Sequence, residues 1–351
     1  MELLKIKILF YILSPLLILL SLLFSFVIIV RHLLYNLGIL KSHKISRKII
    51  SIGNITVGGT GKTPTVNSLV KELITEGKKA TVITRGYKRE GNDRFIVHNG
   101  DELLGNVKNS GDEPLIIALS TNAPTICDSN RVSASLFAIE EFDPEFIVLD
   151  DAFQHRKIKK DIDIVLIDER RFLGNKFLLP FGILRDHIFR LNSADVLILS
   201  KVSSVNSNLS SKINYLKKFG KKVIVSKMIT NTIRNNEQEL NLEDLLTEEL
   251  FLFCGIGDPE NFFSSFKGMK VIGKSSFSDH YSYSTQDINN ILTTSAKYII
   301  TTQKDFVKLP EELQSNNRIF YLELGLEFYD DKFERTSLVK TIYTVKPEWQ
   351  N

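Results

Sequence analysis

Cysteine is scarce in this 351-residue chain, with Cys127 and Cys254 the only two. They lie far apart in sequence and form no C-x-x-C or Cys/His cluster, which argues against a structural zinc site and a disulfide framework and fits a reducing compartment. Excess charge of either sign is small: 45 Lys+Arg against 41 Asp+Glu leave +4, too little to indicate a nucleic-acid partner by charge alone. Internal repeats are missing, and so is any low-complexity tract beyond the apolar N-terminus. With 43% hydrophobic and 25% charged residues, wholesale disorder, collagen-like repetition and a polytopic membrane protein are all disfavoured. The length fits two domains, each with enough chain to bury a core.

Against that ordinary background the N-terminus stands apart. From Ile8 to Val30 no residue is charged, and as a helix this stretch reaches roughly 34 Å at about 1.5 Å per residue, enough for a hydrocarbon core of about 30 Å. A cleaved signal peptide fits poorly, because the run is too long and no A-x-A site comes after it. Two readings stay open, a spanning anchor and a helix hairpinned or lying in one leaflet, since Pro15 can kink a membrane helix or divide it. The small net charge is also unevenly spread. Residues 31–62 hold Arg31, Lys41, Lys44, Arg47, Lys48 and Lys62 with no acid, a basic collar that suits anionic headgroups and, by the positive-inside bias, a cytoplasmic location for the remainder of the chain.

Beyond the collar, short apolar strand signals recur at 49–52, 80–83, 146–149, 163–167, 195–199 and 222–226. Helical stretches lie between several of them, as at 64–76, 132–141 and 208–219. The alternation predicts a parallel sheet covered on both faces. Residues 231–249 turn polar and acidic and read as a surface connection. A second series of signals, including a helix over 285–296 and a strand over 298–302, predicts a smaller α/β lobe over 250–320, with 321–351 returning to the first.

Gly58, Gly59, Thr60, Gly61, Lys62, Thr63 and Pro64 stand between a predicted strand and a predicted helix. Glycines let backbone N–H groups close around phosphate oxygens, the lysine reaches the β and γ phosphates, and the threonine hydroxyl suits Mg²⁺. Thr56 occupies the place of the first glycine in the general form of this loop. A carboxylate at the end of a neighbouring strand is then needed to organise the metal, and the run from Phe146 to Asp150 and Asp151 supplies it. The fold class read here is thus α/β: a P-loop NTPase-like parallel sheet over 41–230, the smaller lobe, and an N-terminal membrane helix over 1–40.

The runs 53–64, Thr84 to Tyr87, Gly111 to Pro114, Asp150 to Arg156, Leu184-Arg185, Phe277 to His280 and Thr301 to Asp305 together resemble the tetraacyldisaccharide 4′-kinase (lipid A 4′-kinase) family. They fall in order across most of the chain. Ala152 stands where that family commonly has glycine, and Asp186 where it has glutamate. The resemblance implies ATP-dependent, Mg²⁺-assisted phosphorylation of the 4′-hydroxyl of a tetraacylated disaccharide 1-phosphate at the bacterial inner membrane, with no nucleic acid and no protein partner. It makes Asp112 the candidate base and His280, in the second lobe, its partner, so that the pair forms only where the lobes meet. Alone, an acidic residue in such a turn is ordinarily a solvated turn-former. Lys62 joins them as a catalytic candidate, Thr63 and Asp150 or Asp151 as metal ligands, and Tyr87, Arg131, Gln154, His155 and Arg185 as contacts to substrate or transition state. The run from Thr302 to Asp305 is left outside the site. A membrane-tethered P-loop NTPase switch is the alternative, although Ser200 to Ser203 lacks the aspartate that a guanine-specific switch requires.

Overall fold

The computed structural model describes residues 2–230, 232–279 and 281–350, with side chains from residue 13 onward. Its strands in chain order are β1 (Lys48–Asn54), β2 (Ala80–Thr84), β3 (Phe95–His98), β4 (Thr125–Cys127), β5 (Phe146–Asp150), β6 (Ile162–Asp168), β7 (Val196–Ser200), β8 (Lys222–Ile229), β9 (Thr232–Arg234), β10 (Glu239–Asn241), β11 (Leu250–Cys254), β12 (Val271–Ser276), β13 (Tyr298–Thr302), β14 (Ile319–Leu322), β15 (Gly325–Tyr329) and β16 (Arg335–Thr336). The helices are α1 (Glu2–Asn36), α2 (Lys62–Thr75), α3 (Val107–Ser110), α4 (Asp112–Thr121), α5 (Arg131–Phe142), α6 (Ser207–Lys217), α7 (Pro259–Ser264), α8 (Thr285–Leu292), α9 (Gln303–Phe306), α10 (Glu311–Gln314) and α11 (Leu338–Val345).

Ten strands form the larger sheet in the order β16-β15-β8-β7-β6-β1-β5-β2-β4-β3. The seven from β8 to β4 are parallel, and β3 and β15 close the row antiparallel. Central strands read as unbroken apolar runs because both faces are covered: β5, β6 and β7 are buried at every residue. One face packs under α2 and α11, with Val66, Leu69, Leu73, Val148, Ile198 and Ile342 in one cluster. Strand order reverses at β1, which lies between β5 and β6. In an open parallel sheet, that reversal leaves a crevice at the carboxyl ends of the strands, where ligands bind.

The second sheet has six strands in the order β10-β9-β14-β13-β11-β12, parallel from β14 to β12. Here the reading of residues 231–249 as a surface connection is corrected. Ile233 and Leu245 are fully buried, and β9 pairs with both β10 and β14. Apart from the pair Leu245-Leu246, the apolar residues in this stretch stand singly between polar ones, so no run marks a strand. The polar residues instead build the hairpin, where Asn235 Oδ1 accepts from the N–H groups of Glu237 and Gln238. Two other boundaries differ: the helix over 285–296 ends at Leu292, and α1 runs through Pro15 without a break, so it forms no hairpin. At the C-terminus β15 pairs with β8, the Val339 N–H donates to Glu72 Oε2 of α2 at 2.9 Å, and Trp349 meets the Phe146 ring edge-on at 5.6 Å.

Candidate active site

The loop after β1 enters α2 through Gly61, whose φ of 90° lies in the left-handed region that a Cβ disfavours. No side chain caps this helix, so its first N–H groups remain available to an anion. The loop is braced from beneath. Asn54 Nδ2 donates to Thr60 Oγ1 at 3.1 Å, Ser200 Oγ donates to the Thr60 carbonyl at 2.7 Å, and Lys201 Nζ donates to the Gly59 carbonyl. The Arg171 guanidinium lies directly against Gly58. The sequence weighs Ser200 and Lys201 only as a guanine-specificity run, not as loop braces, and does not single out Arg171. A lysine directly after a parallel strand, on the sheet edge that binds ligands, was the available signal for Lys201.

Register places Asp150 beside Ile52, two residues from the end of β1. Asp150 Oδ2 accepts from Thr84 Oγ1 at 3.2 Å, while its buried Oδ1 has no hydrogen-bond partner among the described residues. Burial, followed by the charges of Glu113 and Asp151, pushes this carboxyl up to about 7 against the pull of Lys62 and Arg131. Asp151 has a φ of 47°, a conformation uncommon for a residue with a side chain and concentrated at functional sites. Its carboxylate lies 3.7 Å from Lys62 Nζ and receives Arg185 Nη1 on both oxygens at 2.9 and 3.0 Å. Arg185 Nη1 also donates to Asn54 Oδ1 at 3.0 Å. The loop lysine, the aspartate pair and Arg185 therefore form one connected charge group.

The other candidates are placed differently. Arg131 is buried and donates to the carbonyls of Asp128 and Asp150, so its guanidinium braces the backbone at the aspartate pair. Gln154 Nε2 donates to the Asn54 carbonyl at 2.8 Å. Tyr87 is 64% exposed. Its carbonyl oxygen is so near Gly111 that a Cβ there would sit 2.7 Å away, and Gly111 itself has a φ of 85°.

Burial, followed by the cations Arg131, Lys160, Lys157 and Arg31, pushes the His155 imidazole down to about 4, so near neutral pH it carries no charge to offer a phosphate. A folded-state pKa below the ordinary 6.5 means that the unfolded chain binds the proton first. Stability associated with His155 is present above about 6.5 and is lost as pH falls from there toward about 4. His155→Gln is expected to flatten the dependence of the thermal midpoint on pH across that window, as read by calorimetry on both proteins.

Asp112 opens α4, its Oδ1 accepting from the Glu113 N–H at 3.0 Å, where the helix dipole favours negative charge. It is 8% exposed and faces the second lobe: Lys304 Nζ from α9 lies 3.5 Å from Asp112 and 3.9 Å from Asp279. Gln303 Nε2 adds a bond to Ser120 Oγ at 2.9 Å, and Val307 packs with Leu115 and Ile116 of α4. The run from Thr302 to Asp305, left out of the site at the sequence level, thus delivers Lys304 to the candidate base. His280 lies outside the described residues.

A phosphate loop after the central strand of a parallel sheet, with an aspartate pair ending the adjacent strand, defines a P-loop nucleoside-triphosphate enzyme. Comparison with known proteins narrows the class. A family model described as tetraacyldisaccharide-1-P 4′-kinase matches residues 13–343. The tetraacyldisaccharide 4′-kinase of Halothermothrix orenii is 33% identical over 329 residues, covering 87% of this chain and 84% of its own length. That of Geobacter metallireducens is 31% identical over 334 residues, covering 92% and 96%. A solved structure of LpxK from Aquifex aeolicus in complex with ATP aligns with a TM-score of 0.79 at 29% identity, over 96% of this chain and 99% of that one. The chain belongs to the tetraacyldisaccharide 4′-kinase family.

Proposed function

We propose that the protein transfers the γ-phosphoryl group of ATP to the 4′-hydroxyl of a tetraacyldisaccharide 1-phosphate, working at the cytoplasmic face of the bacterial inner membrane. The observation that carries this reading is the junction of the two lobes. A carboxylate at the start of α4 faces Lys304 of α9 in the second lobe at 3.5 Å, and in the first lobe the phosphate-loop lysine is 3.7 Å from Asp151.

In this reading the backbone N–H groups of residues 58–63 and the Lys62 ammonium hold the ATP phosphates. Mg²⁺ fits the residues present: the buried Asp150 Oδ1 lacks a hydrogen-bond partner among the described residues, Asp151 adjoins it, and Thr63 offers a hydroxyl. Mg²⁺ keeps several waters and needs only one or two carboxylates; when bound it neutralises charge on the phosphate oxygens. Asp112 accepts the proton of the 4′-hydroxyl as that oxygen bonds to the γ-phosphorus. The bond from phosphorus to the bridging oxygen breaks, and ADP departs. Lys304 positions the Asp112 carboxylate, and His280 serves as its hydrogen-bonding partner. Arg185, Arg171 and Tyr87 line the approach, where guanidinium groups suit the acceptor's 1-phosphate or the moving phosphoryl group. The basic collar and α1 bring this machinery to a lipid surface.

Acceptor dependence tests the reading. ATP consumption by the full chain in mixed micelles is expected to rise from a negligible rate in proportion to added disaccharide lipid. A rate indifferent to the lipid would instead favour a membrane-tethered NTPase switch.

A further inference from the structure

Asp186 follows Arg185 in the chain, and its carboxylate is taken up by α1. The helix lies along the first lobe: Ser21 Oγ donates to the Leu178 carbonyl at 2.8 Å, and Ser25 Oγ lies 3.1 Å from His187 Nε2. Two turns on, His32 Nε2 lies 2.8 Å from Asp186 Oδ1, the two residues being only 4% and 1% exposed. The other imidazole nitrogen, Nδ1, lies 3.1 Å from Arg156 Nη1, which also donates to the His32 carbonyl at 3.2 Å. A guanidinium can only donate, so Nδ1 accepts, and the hydrogen bonding assigns the ring proton to Nε2, aimed at Asp186. Asp186 Oδ1 also accepts the His187 N–H at 2.8 Å, and Arg190 Nε lies 3.7 Å from Oδ2.

The same stretch of α1 holds the segment on the other side of the charge group. Arg31 Nη2 donates to the Gln154 carbonyl at 2.9 Å, and Arg156 Nη2 donates to Asn36 Oδ1 at 2.8 Å. Gln154 and Arg156 lie on the chain leading away from Asp151, while Asp186 is the residue after Arg185. Residues 31–36 therefore tie together the two segments whose side chains meet in the Arg185–Asp151 pair. The Arg185 N–H donates to the Ile55 carbonyl at 2.8 Å, so the backbone at 185–186 is fixed from the β1 side and from the α1 side at once. To reach a metal or a substrate, the Asp186 carboxylate would have to break these contacts, and stranding buried polar groups in this way is costly. Its place in the fold is that of a brace.

We propose that His32 and Asp186 are a positioning pair for phosphoryl transfer: the His32 imidazole holds the Asp186 carboxylate, and the two fix the backbone that sets Arg185 on both oxygens of Asp151. The role rests on the kinase reaction proposed above, and it gives α1 a part in ordering the active site that is separate from membrane attachment.

The test compares side chains that keep the bond with side chains that lose it. In the full chain in mixed micelles, His32→Ala and Asp186→Ala are each expected to lower kcat for lipid phosphorylation by about 10–100-fold, the cost of a small misplacement, with KM for ATP changed only a few-fold. The double variant should be no slower than the slower single one, because the two residues act as a unit. Asp186→Asn keeps an acceptor oxygen in place and discards the charge, so it should lose no more than a few-fold. An Asp186→Asn protein as slow as Asp186→Ala would show that the charge itself is used, and fully additive losses in the double variant would show that the residues act apart; either result overturns the pair. Thermal midpoints and ATP binding check folding, and Asp186→Asn stays decisive where an alanine variant fails to fold. A crystal structure of His32→Ala reads the pair without turnover: Arg185 Nη1 is expected to leave one or both oxygens of Asp151, and an unmoved guanidinium overturns the proposal. Unsubstituted protein that phosphorylates no lipid would contradict the kinase reading, and the crystal structure would then still decide the pair.

Discussion

Asp112→Asn is expected to lower kcat by about 10²–10⁴-fold, the range for removing a positioned general base, with KM for ATP and lipid changed only a few-fold. The replacement keeps the shape of the side chain and its bond from the Glu113 N–H, so the thermal midpoint should hold. What disappears is the group that takes the hydroxyl proton. Asp112 faces Lys304 across the junction of the lobes at 3.5 Å, so the effect should be confined to turnover. The double variant Asp112→Ala/His280→Ala extends the test. If the two residues act as a unit, it should be no slower than the worse single variant; fully additive losses would separate their roles. Unchanged turnover in Asp112→Asn would remove this carboxylate from the chemistry.

Lys62→Ala is expected to cost about 10²–10³-fold in kcat, as for loss of a donor aimed at developing charge, and to weaken ATP binding as well. Lys62 is one of two cations on Asp151; Arg185 supplies the other through bonds to both carboxylate oxygens. The aspartate therefore keeps a partner in the variant, and the fold should survive. Flotation with anionic vesicles should be little affected, because Lys62 faces Asp151 in the phosphate loop while α1 and the other five cations of the collar remain. A Lys62→Ala protein that phosphorylates lipid at the normal rate would refute the phosphate-loop assignment.

How far the sequence anticipates these features depends on whether the signal is local. Strands such as β5 and β6 are continuous apolar runs because both faces of a parallel sheet are covered, and the phosphate loop between β1 and α2 is defined by adjacent residues whose spacing is its chemistry. Asp150 and Asp151 are legible for the same reason, at the end of such a run. What escapes is assembled by topology. Lys304 reaches Asp112 only because the second sheet docks against α4, and nothing in the run from Thr302 to Asp305 records that contact. Ser200 and Lys201 brace the phosphate loop from a strand two places away in the sheet. β9 and β10 were hidden because isolated apolar residues in a polar stretch look like loop until Ile233 and Leu245 are seen inside the core. In α1 the length was plain and the docking was not, although Ser14, Ser21, Ser25 and His32 recur at helical spacing within an otherwise apolar run.

Where the phosphoryl group goes is decided by the identity of the product. Purified full-length protein would be incubated with Mg²⁺, ATP labelled in the γ position and a tetraacyldisaccharide 1-phosphate in mixed micelles, and the position of label in the lipid read by mass and phosphorus NMR. A bisphosphorylated lipid carrying the label as a monoester at the 4′ oxygen is the expected product. Label released only as inorganic phosphate, or found as a pyrophosphate at position 1, would rule out phosphorylation of the 4′-hydroxyl.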